Sequence, residues 1–551
     1  MTRTHEVLNQ VPPLEDFDAS DHPIYEETLA RAGAADALAE VRTVGVAAGS
    51  ERCRRLGDLA EAHAPVLHTH DRYGNRVDRV EYDPAYHELM AGALSYGLAG
   101  AAWRDPRPYA HLIRAVKYSA WYATDAGHCC PVTMTYAAVP ALRADPRVAA
   151  RLEPLLTGTV YDPTVAAPLT KRGLIAGMSM TEKQGGSDVR ANTTAARAQA
   201  DGGYLLRGHK WFTSAPMSDI LLTLAQAPGG LSCFVVPRVL ADGTMNRVLL
   251  QRLKDKLGDR SNASSEIELD EAWGWRLGEE GRGVATIVKM VNSTRLDCTI
   301  ATASLMRLAV LYATHHVLHR AAFGAKLIEQ PLMRNVVADL AVEAEASLTV
   351  AFFLAGLTDR AASGDEAARL LQRLALAVSK YYVCKRGPAH TAEAMECLGG
   401  NGYIEDSRLP RLYREAPLLS IWEGSGNVAA LDALRAIARE PETLRLLWGE
   451  VEAARGGDAR LDAFAAGLQR RLADPAELEY RARTVVGDLA CALQASLLVR
   501  HGDAAVADAF TATRLAERGS AYGSLPRGVD VARILERATP RQDLARTHLQ
   551  A

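Results

Sequence analysis

With 551 residues, 48% of them hydrophobic, the chain is long enough for several packed layers, which excludes a peptide or a small disulfide-stapled scaffold. Its 63 basic and 66 acidic residues leave a formal charge of -3, so there is no global basic field of the kind that marks many nucleic-acid binders. Any DNA contact must come from a local patch. The cysteines (Cys53, Cys129, Cys130, Cys233, Cys298, Cys384, Cys397 and Cys491) lack C-x-x-C or Cys/His spacing, which argues against zinc, iron–sulfur clusters and a disulfide framework, so no metal is expected. The N-terminal lead has no signal-peptide core, and no uninterrupted apolar run long enough to span a bilayer follows it; a cytoplasmic protein without membrane contact is expected.

In chain order, residues 1–160 read as helix after an irregular lead containing Pro and Asp, because segments 86–103 and 108–124 repeat apolar residues at three- and four-residue spacing. Residues 161–285 change period. Strand-length runs at 203–208, 219–227, 231–238, 247–253 and 264–269 are separated by Gly, Pro and Asp, with no helix-length segment between them, which predicts a small antiparallel β domain. Residues 286–435 return to helix. The pattern over 283–323 is too long for one ordinary globular helix and fits either two helices or one extended one. Residues 436–551 form a further helical extension rich in Ala and Arg. The predicted fold class is α+β, mainly α, in the order helices, small β domain, helical bundle, helical extension.

Four clusters carry chemistry. Met180-Thr181-Glu182-Lys183-Gln184-Gly185-Gly186-Ser187-Asp188 is either a plain turn or a loop whose glycines and hydroxyls let a pyrophosphate or ring edge approach the backbone. Lys210-Trp211-Phe212-Thr213-Ser214 reads as strand, with alternation aiming Trp211 and Thr213 at one face, either as ordinary core or as cover for a planar ligand. Gly399-Gly400-Asn401-Gly402, followed by Arg411 and Glu415, suits a helix C-cap or a nucleotide cradle. In Trp422-Glu423-Gly424-Ser425-Gly426-Asn427 a carboxylate stands beside a turn that opens a helix. Its G-x-G-x-x-A spacing lacks the flanking strand of a dinucleotide fold, and a glutamate there serves either as base or as dipole compensation.

Together and in this order, the clusters resemble the acyl-CoA dehydrogenase family over nearly the whole chain: T-E-x-x-x-G-S-D at Thr181–Asp188, K-W-x-T at Lys210–Thr213, the acid and G-G-x-G element from Glu396, and E-G-[TS] at Glu423–Ser425. Within the family the texts MTEKQGGSDV, GHKWF, QPLMR, LPRLYRE and SIWEGSGN are similar to the alkylation-response, AidB-like branch.

The resemblance implies FAD as cofactor. Met180, Thr181, Gly186 and Ser187 would meet the flavin and its phosphates; Trp211, Phe212, Thr213 and Ser214 would flank the ring. Arg320 and Phe323 fit R-x-x-F-G, whose arginine reaches a neighbouring subunit's FAD, and Gln330, Gly399 and Gly400 fall where the adenine half is held. Trp422, Ser425 and Asn427 surround Glu423, the implied catalytic base that removes a proton beside a thioester, and Arg295 matches a position near the active site. A homo-oligomer, in this family usually a tetramer, is implied. So is duplex-DNA binding through the C-terminal region, with weak or unknown acyl-CoA activity; the alternative is a conventional dehydrogenase of a small, short or branched acyl thioester with no DNA role. Trp422 replaces the Tyr common in fatty-acyl dehydrogenases, which makes long chains unexpected. Residues 435–551 hold 17 Arg, no Lys and 16 acids, so arginine forks for phosphate and internal ion pairs are both open readings.

Overall fold

The computed structural model describes residues 4–541 except 518 and 520, so the last ten residues of the expected DNA-contact region lie outside the described residues. Two compact units emerge. One is built from Met1–Ser50, His111–Ala123 and Cys298–Ala551, the other from Glu51–Ala110 and Thr124–Asp297.

Long helices dominate the first unit: Pro331–Ala362 with 32 residues, Glu366–Glu396 with 31 and Ala482–His501 with 20. Their boundaries are written locally. Pro331 opens the first at a position where its missing N–H costs nothing. Gly364, at φ +92°, turns the chain after that helix, and the Asp365 side chain caps the next by accepting from Ala368 N. The segment 283–323 resolves as one helix, Gly283–His319, of 37 residues. Three of these helices (Gly283–His319, Pro331–Ala362 and Ala482–His501) are long and apolar enough to cross a membrane by length and composition, and each spends most of that apolar surface inside the protein. Helix Ala110–Trp121 is held to this unit by Asp359, whose carboxylate accepts from His111 N at 2.8 Å and Leu112 N at 2.9 Å, a carboxylate cap supplied from a distant helix.

The C-terminal extension is packed against the bundle through buried charge. Arg514 donates to Asp339 at 2.6 Å and to Glu343 at 2.8 Å, and Arg537 to Glu345 at 2.6 Å and Glu27 at 2.8 Å. Such buried ions persist only when their donors and acceptors are matched in this way.

In the second unit, a hairpin of β1 (Val66–His70) and β2 (Arg76–Glu81) stands in the region expected to be wholly helical. The main sheet uses β3 (Ala176–Ser179), β4 (Ala195–Ala198), β5 (Tyr204–Ser214), β6 (Ile220–Ala227), β7 (Gly230–Pro237), β8 (Val248–Leu253) and β9 (Ser264–Leu277). β5 pairs with β9, β9 with β7, β7 with β6, and β6 with β3 and β4, both of which return to β5. The pairings close on themselves as a small barrel. Closure corrects one expectation: β3 runs parallel to β6, Ala176 opposite Ile220, because the ring can close only through a strand of that sense. Leu206, Leu221, Phe234, Val236, Leu250 and Ile267 form its apolar core.

Candidate functional site

The barrel carries one set of the predicted residues. Glu182, fully buried, is the hub of the first motif. Its carboxylate accepts from Thr193 N at 2.7 Å, Thr194 Oγ1 at 2.6 Å and Lys210 Nζ at 2.8 Å, while Lys210 Nζ also donates to the Leu224 carbonyl at 2.7 Å. Burial by itself would raise this carboxyl, but hydrogen bonds from Lys210, Thr194 and Thr193 outweigh it and hold the group well below the ordinary range. The two sequence motifs are thus one ion pair. Trp211 N donates to Thr181 O at 2.8 Å, tying them a second time. Gly186 sits so close to Thr181 that an added Cβ would meet its hydroxyl at 2.4 Å, whereas Ser187 is exposed. The Met180 carbonyl accepts from Asn192 Nδ2 at 2.9 Å, and Ser214 pairs with Met178 across β3 and β5.

The shared face expected for Trp211 and Thr213 is overturned by a bulge in β5. Lys210 pairs with Ile267 and Thr213 with Ser265, three positions on one strand against two on the other. The extra residue puts Thr213 on the buried side with Lys210 and leaves Trp211 half-buried and Phe212 exposed. Thr213 Oγ1 lies 2.5 Å from Ser179 Oγ, so its hydroxyl already has a protein partner. Lys254 Nζ stands 3.3 Å from the centre of the Trp211 ring and 4.7 Å from that of Phe212, with Arg252 and Lys183 each within 6 Å of Trp211 at 5.8 and 5.9 Å. An aromatic face ringed by three cations, beside an exposed Gly-Ser turn, has the chemistry to accept a planar group with an anionic tail.

The helical unit carries the other set. Glu423 adopts φ +58° and Gly424 φ +103°, a left-handed turn between helix Leu409–Ile421 and helix Gly426–Arg439. One Glu423 carboxylate oxygen is shielded from solvent, and Trp422 Nε1 is buried with no protein partner, an orphaned donor that suits a ligand's acceptor. Lys380, a residue sequence reasoning missed, donates to Trp422 O at 2.9 Å and Gly424 O at 2.7 Å. The signal was an ammonium inside Leu374–Val383, a stretch otherwise apolar on nearly every side. Ser425 stands at the N-cap position of its helix, exposed, and Asn427 Oδ1 accepts from Arg483 Nε at 2.8 Å, so that side chain faces the C-terminal extension. Gly399, at φ +59°, and Gly400 are exposed, and an added Cβ at either would meet nothing within 4 Å, leaving open backbone after helix Glu366–Glu396. Arg411 pairs with Glu415 at 3.1 Å.

Arg320 and Phe323 lie on a short hairpin, β10 (Ala321–Ala322) and β11 (Ala325–Lys326). Asn9 of the N-terminal lead, also missed, bonds both backbone groups of Ala321, at 2.8 and 2.9 Å, and its carbonyl accepts from Arg320 Nη1 at 2.5 Å. Gln330 donates to Ala322 O at 3.4 Å. Phe323 projects from the tip, 99% exposed. Arg295 is buried in the other unit. Among the described residues no group of three or more His, Cys, Asp or Glu side chains is arranged to hold a metal.

Comparison with known proteins covers most of the chain. Residues 9–163 match the family model of the adaptive response protein AidB N-terminal domain, residues 177–272 the acyl-CoA dehydrogenase middle domain and residues 281–438 the acyl-CoA dehydrogenase C-terminal domain. AidB of Escherichia coli is 44% identical over 482 residues, 86% of this chain and 88% of the relative. Acyl-CoA dehydrogenase family member 11 of Caenorhabditis elegans is 32% identical over 472 residues, 80% and 74% of the two chains. The crystal structure of Caenorhabditis elegans ACDH-11 in complex with C11-CoA superposes with a TM-score of 0.85 at 27% identity, covering 99% of this chain and 94% of that one.

Proposed function

Since the chain belongs to the AidB-like branch of the acyl-CoA dehydrogenase family, we propose that it oxidises an acyl thioester between its α and β carbons, with Glu423 as the base that takes the α proton. FAD is its cofactor and, when bound, supplies the acceptor for the hydride that leaves the β carbon. The observation that carries the reading is the turn at Glu423: a non-glycine residue at φ +58° is costly, and such strain is kept where a side chain has to be aimed. Trp211, Phe212, the Thr181–Ser187 turn and the surrounding cations suit the flavin and its phosphates, and Gly399, Gly400 and Gln330 suit the nucleotide half. The buried Trp422 Nε1 suits an acceptor on the bound thioester. A proton held next to a thioester is weakly acidic, so the rate depends on a carboxylate fixed within reach of it. The bulk of Trp422 favours a small acyl group. The C11-CoA complex of the Caenorhabditis elegans relative makes a medium chain the other length to test.

The test is anaerobic bleaching of the flavin by butyryl-CoA and undecanoyl-CoA in the wild type and in Glu423→Gln. The variant is expected to keep its FAD and lose at least 1,000-fold in rate, about 4 kcal/mol of barrier. Retained bleaching in the variant would remove Glu423 as base.

The oligomer belongs to the same reading. A wholly exposed Phe323 beside Arg320 is a contact waiting for a second copy, in keeping with a tetramer that shares its cofactor sites between subunits.

A duplex-DNA role in an alkylation response is the second reading, favoured by the match of residues 9–163 to the adaptive-response N-terminal domain. Against it, many extension arginines are already committed to carboxylates: Arg460 to Asp458 and Asp508, Arg471 to Asp488, Arg500 to Glu450, Arg533 to Asp503, Arg514 and Arg537 to the bundle. A gel shift on duplex DNA decides. Phosphate-driven binding has to weaken steeply between 50 and about 200 mM salt, and no shift at the low end ends the DNA reading.

A further inference from the structure

We infer that Lys380 is the positioning residue of the base, an inference that rests on Glu423 being the base. Lys380 is 1% exposed, on helix Glu366–Glu396, and its ammonium bridges the carbonyls of Trp422 and Gly424, the residues on either side of Glu423. The arrangement does two things. It gives a donor to the carbonyl of Trp422, the C-cap of helix Leu409–Ile421, and to that of Gly424 in the turn that follows. It also pins the peptide group that enters Glu423 and the one that leaves Gly424, so the turn is held from both ends while Glu423 stays at φ +58°, a region an L side chain leaves readily unless the surroundings over-determine it. Without the bridge, the chain at Glu423 relaxes toward ordinary backbone angles and the carboxylate swings from its aimed position. The ammonium takes no proton in the reaction and touches no reacting atom. Its effect is on where Glu423 stands.

The geometry separates this role from generic stability. Charge-assisted donors at two carbonyls demand a cation with at least two N–H groups, so an arginine can replace the lysine in part and a methionine of similar length cannot. Holoenzyme is prepared for wild type, Lys380→Met, Lys380→Gln, Lys380→Arg and Glu423→Gln, and flavin bleaching is followed anaerobically with saturating butyryl-CoA or undecanoyl-CoA. Lys380→Met is expected to lose at least 100-fold in maximal bleaching rate with the half-saturating thioester concentration changed less than threefold and FAD content retained. Lys380→Gln, with one or two neutral donors, is expected to lose about tenfold, and Lys380→Arg to recover most of the rate; if Lys380→Met is recovered unfolded, the Gln and Arg pair carries the test. Wild-type rates in Lys380→Met or Lys380→Gln, with Glu423→Gln dead, overturn the positioning role and leave the base in place. An effect confined to half-saturation, or one that Arg fails to rescue, overturns it equally. Bleaching that survives in Glu423→Gln overturns the base itself, which is a distinguishable result.

Discussion

Burying an ammonium is costly, and burying a carboxylate is costly too, so the Lys210–Glu182 pair is tolerated only because each is held by several hydrogen bonds. Glu182 receives hydrogen bonds from Lys210, Gln184, Thr193 and Thr194, and Lys210 has the Leu224 carbonyl as its second acceptor. Burial lowers the lysine's proton affinity and Glu182 opposes the shift, keeping the pair matched. Removing one member therefore exposes the full cost of the other. Lys210→Met is expected to destabilise the barrel by about 3–5 kcal/mol and to reduce bound FAD, since the same contact holds Thr181 beside Trp211. Thermal unfolding and the flavin-to-protein absorbance ratio measure the two effects. Adding Glu182→Gln to Lys210→Met should return part of the lost stability, because the orphaned charge is gone; a double variant as unstable as the single one would mean that packing, not charge, dominates there.

At the scale of elements, the hairpin β10–β11 is small, yet two residues at its tip have positive φ, Phe323 at +53° and Gly324 at +83°, the two-residue pattern whose twist matches a hairpin. Glycine meets that demand without strain and phenylalanine does not, so Phe323 is the position at which the proposed contact with a second copy is tested. Phe323→Gly is expected to leave the hairpin folded and to shift the protein toward smaller assemblies, read by light scattering, with FAD retention falling alongside. Asn9→Ala removes two hydrogen bonds to Ala321, about 1 kcal/mol each, and should speed amide exchange at Ala321 and Leu327 before it affects anything else. The partners of neither device were legible in the sequence: Asn9 stands 312 residues from Ala321, and Lys380, though marked by its apolar surroundings, reaches carbonyls 42 and 44 residues on. Legible elements had a period long enough to count. The strands near Leu222, Val235 and Leu250 were found where the alternating or apolar runs lie, while β3 and β4, four residues each, are too short to display one. The hairpin β1–β2 escaped because its faces are mostly exposed and polar. The bulge that separates Trp211 from Thr213 depends on the register with β9, which no local pattern encodes.

For the whole molecule, the extension's buried contacts with the bundle make stability sensitive to acid in a defined window. His390 lies under Tyr522 of the extension, ring centroids 5.5 Å apart and nearly perpendicular, and its Nε2 is 3.0 Å from the Leu340 carbonyl. Burial pushes its pKa down from 6.5 to about 4; Leu340 and Glu343 pull it up and Arg386 and Arg514 push it further down. The folded chain therefore keeps this ring neutral where the unfolded chain protonates it. Stability is undiminished above pH 6.5 and is lost as the pH falls from 6.5 toward 4, at up to about 1.4 kcal/mol per unit for one such group. His22, buried and also held well below its ordinary value, chiefly by burial, adds to the same slope. His390→Gln can still donate to Leu340 but cannot be protonated, so its unfolding temperature should fall less steeply than that of the wild type between pH 6.5 and 4.5, although it starts lower at pH 7. Parallel curves would mean that the acid slope comes from another buried ring, His22 first, and that His390 contributes nothing to it.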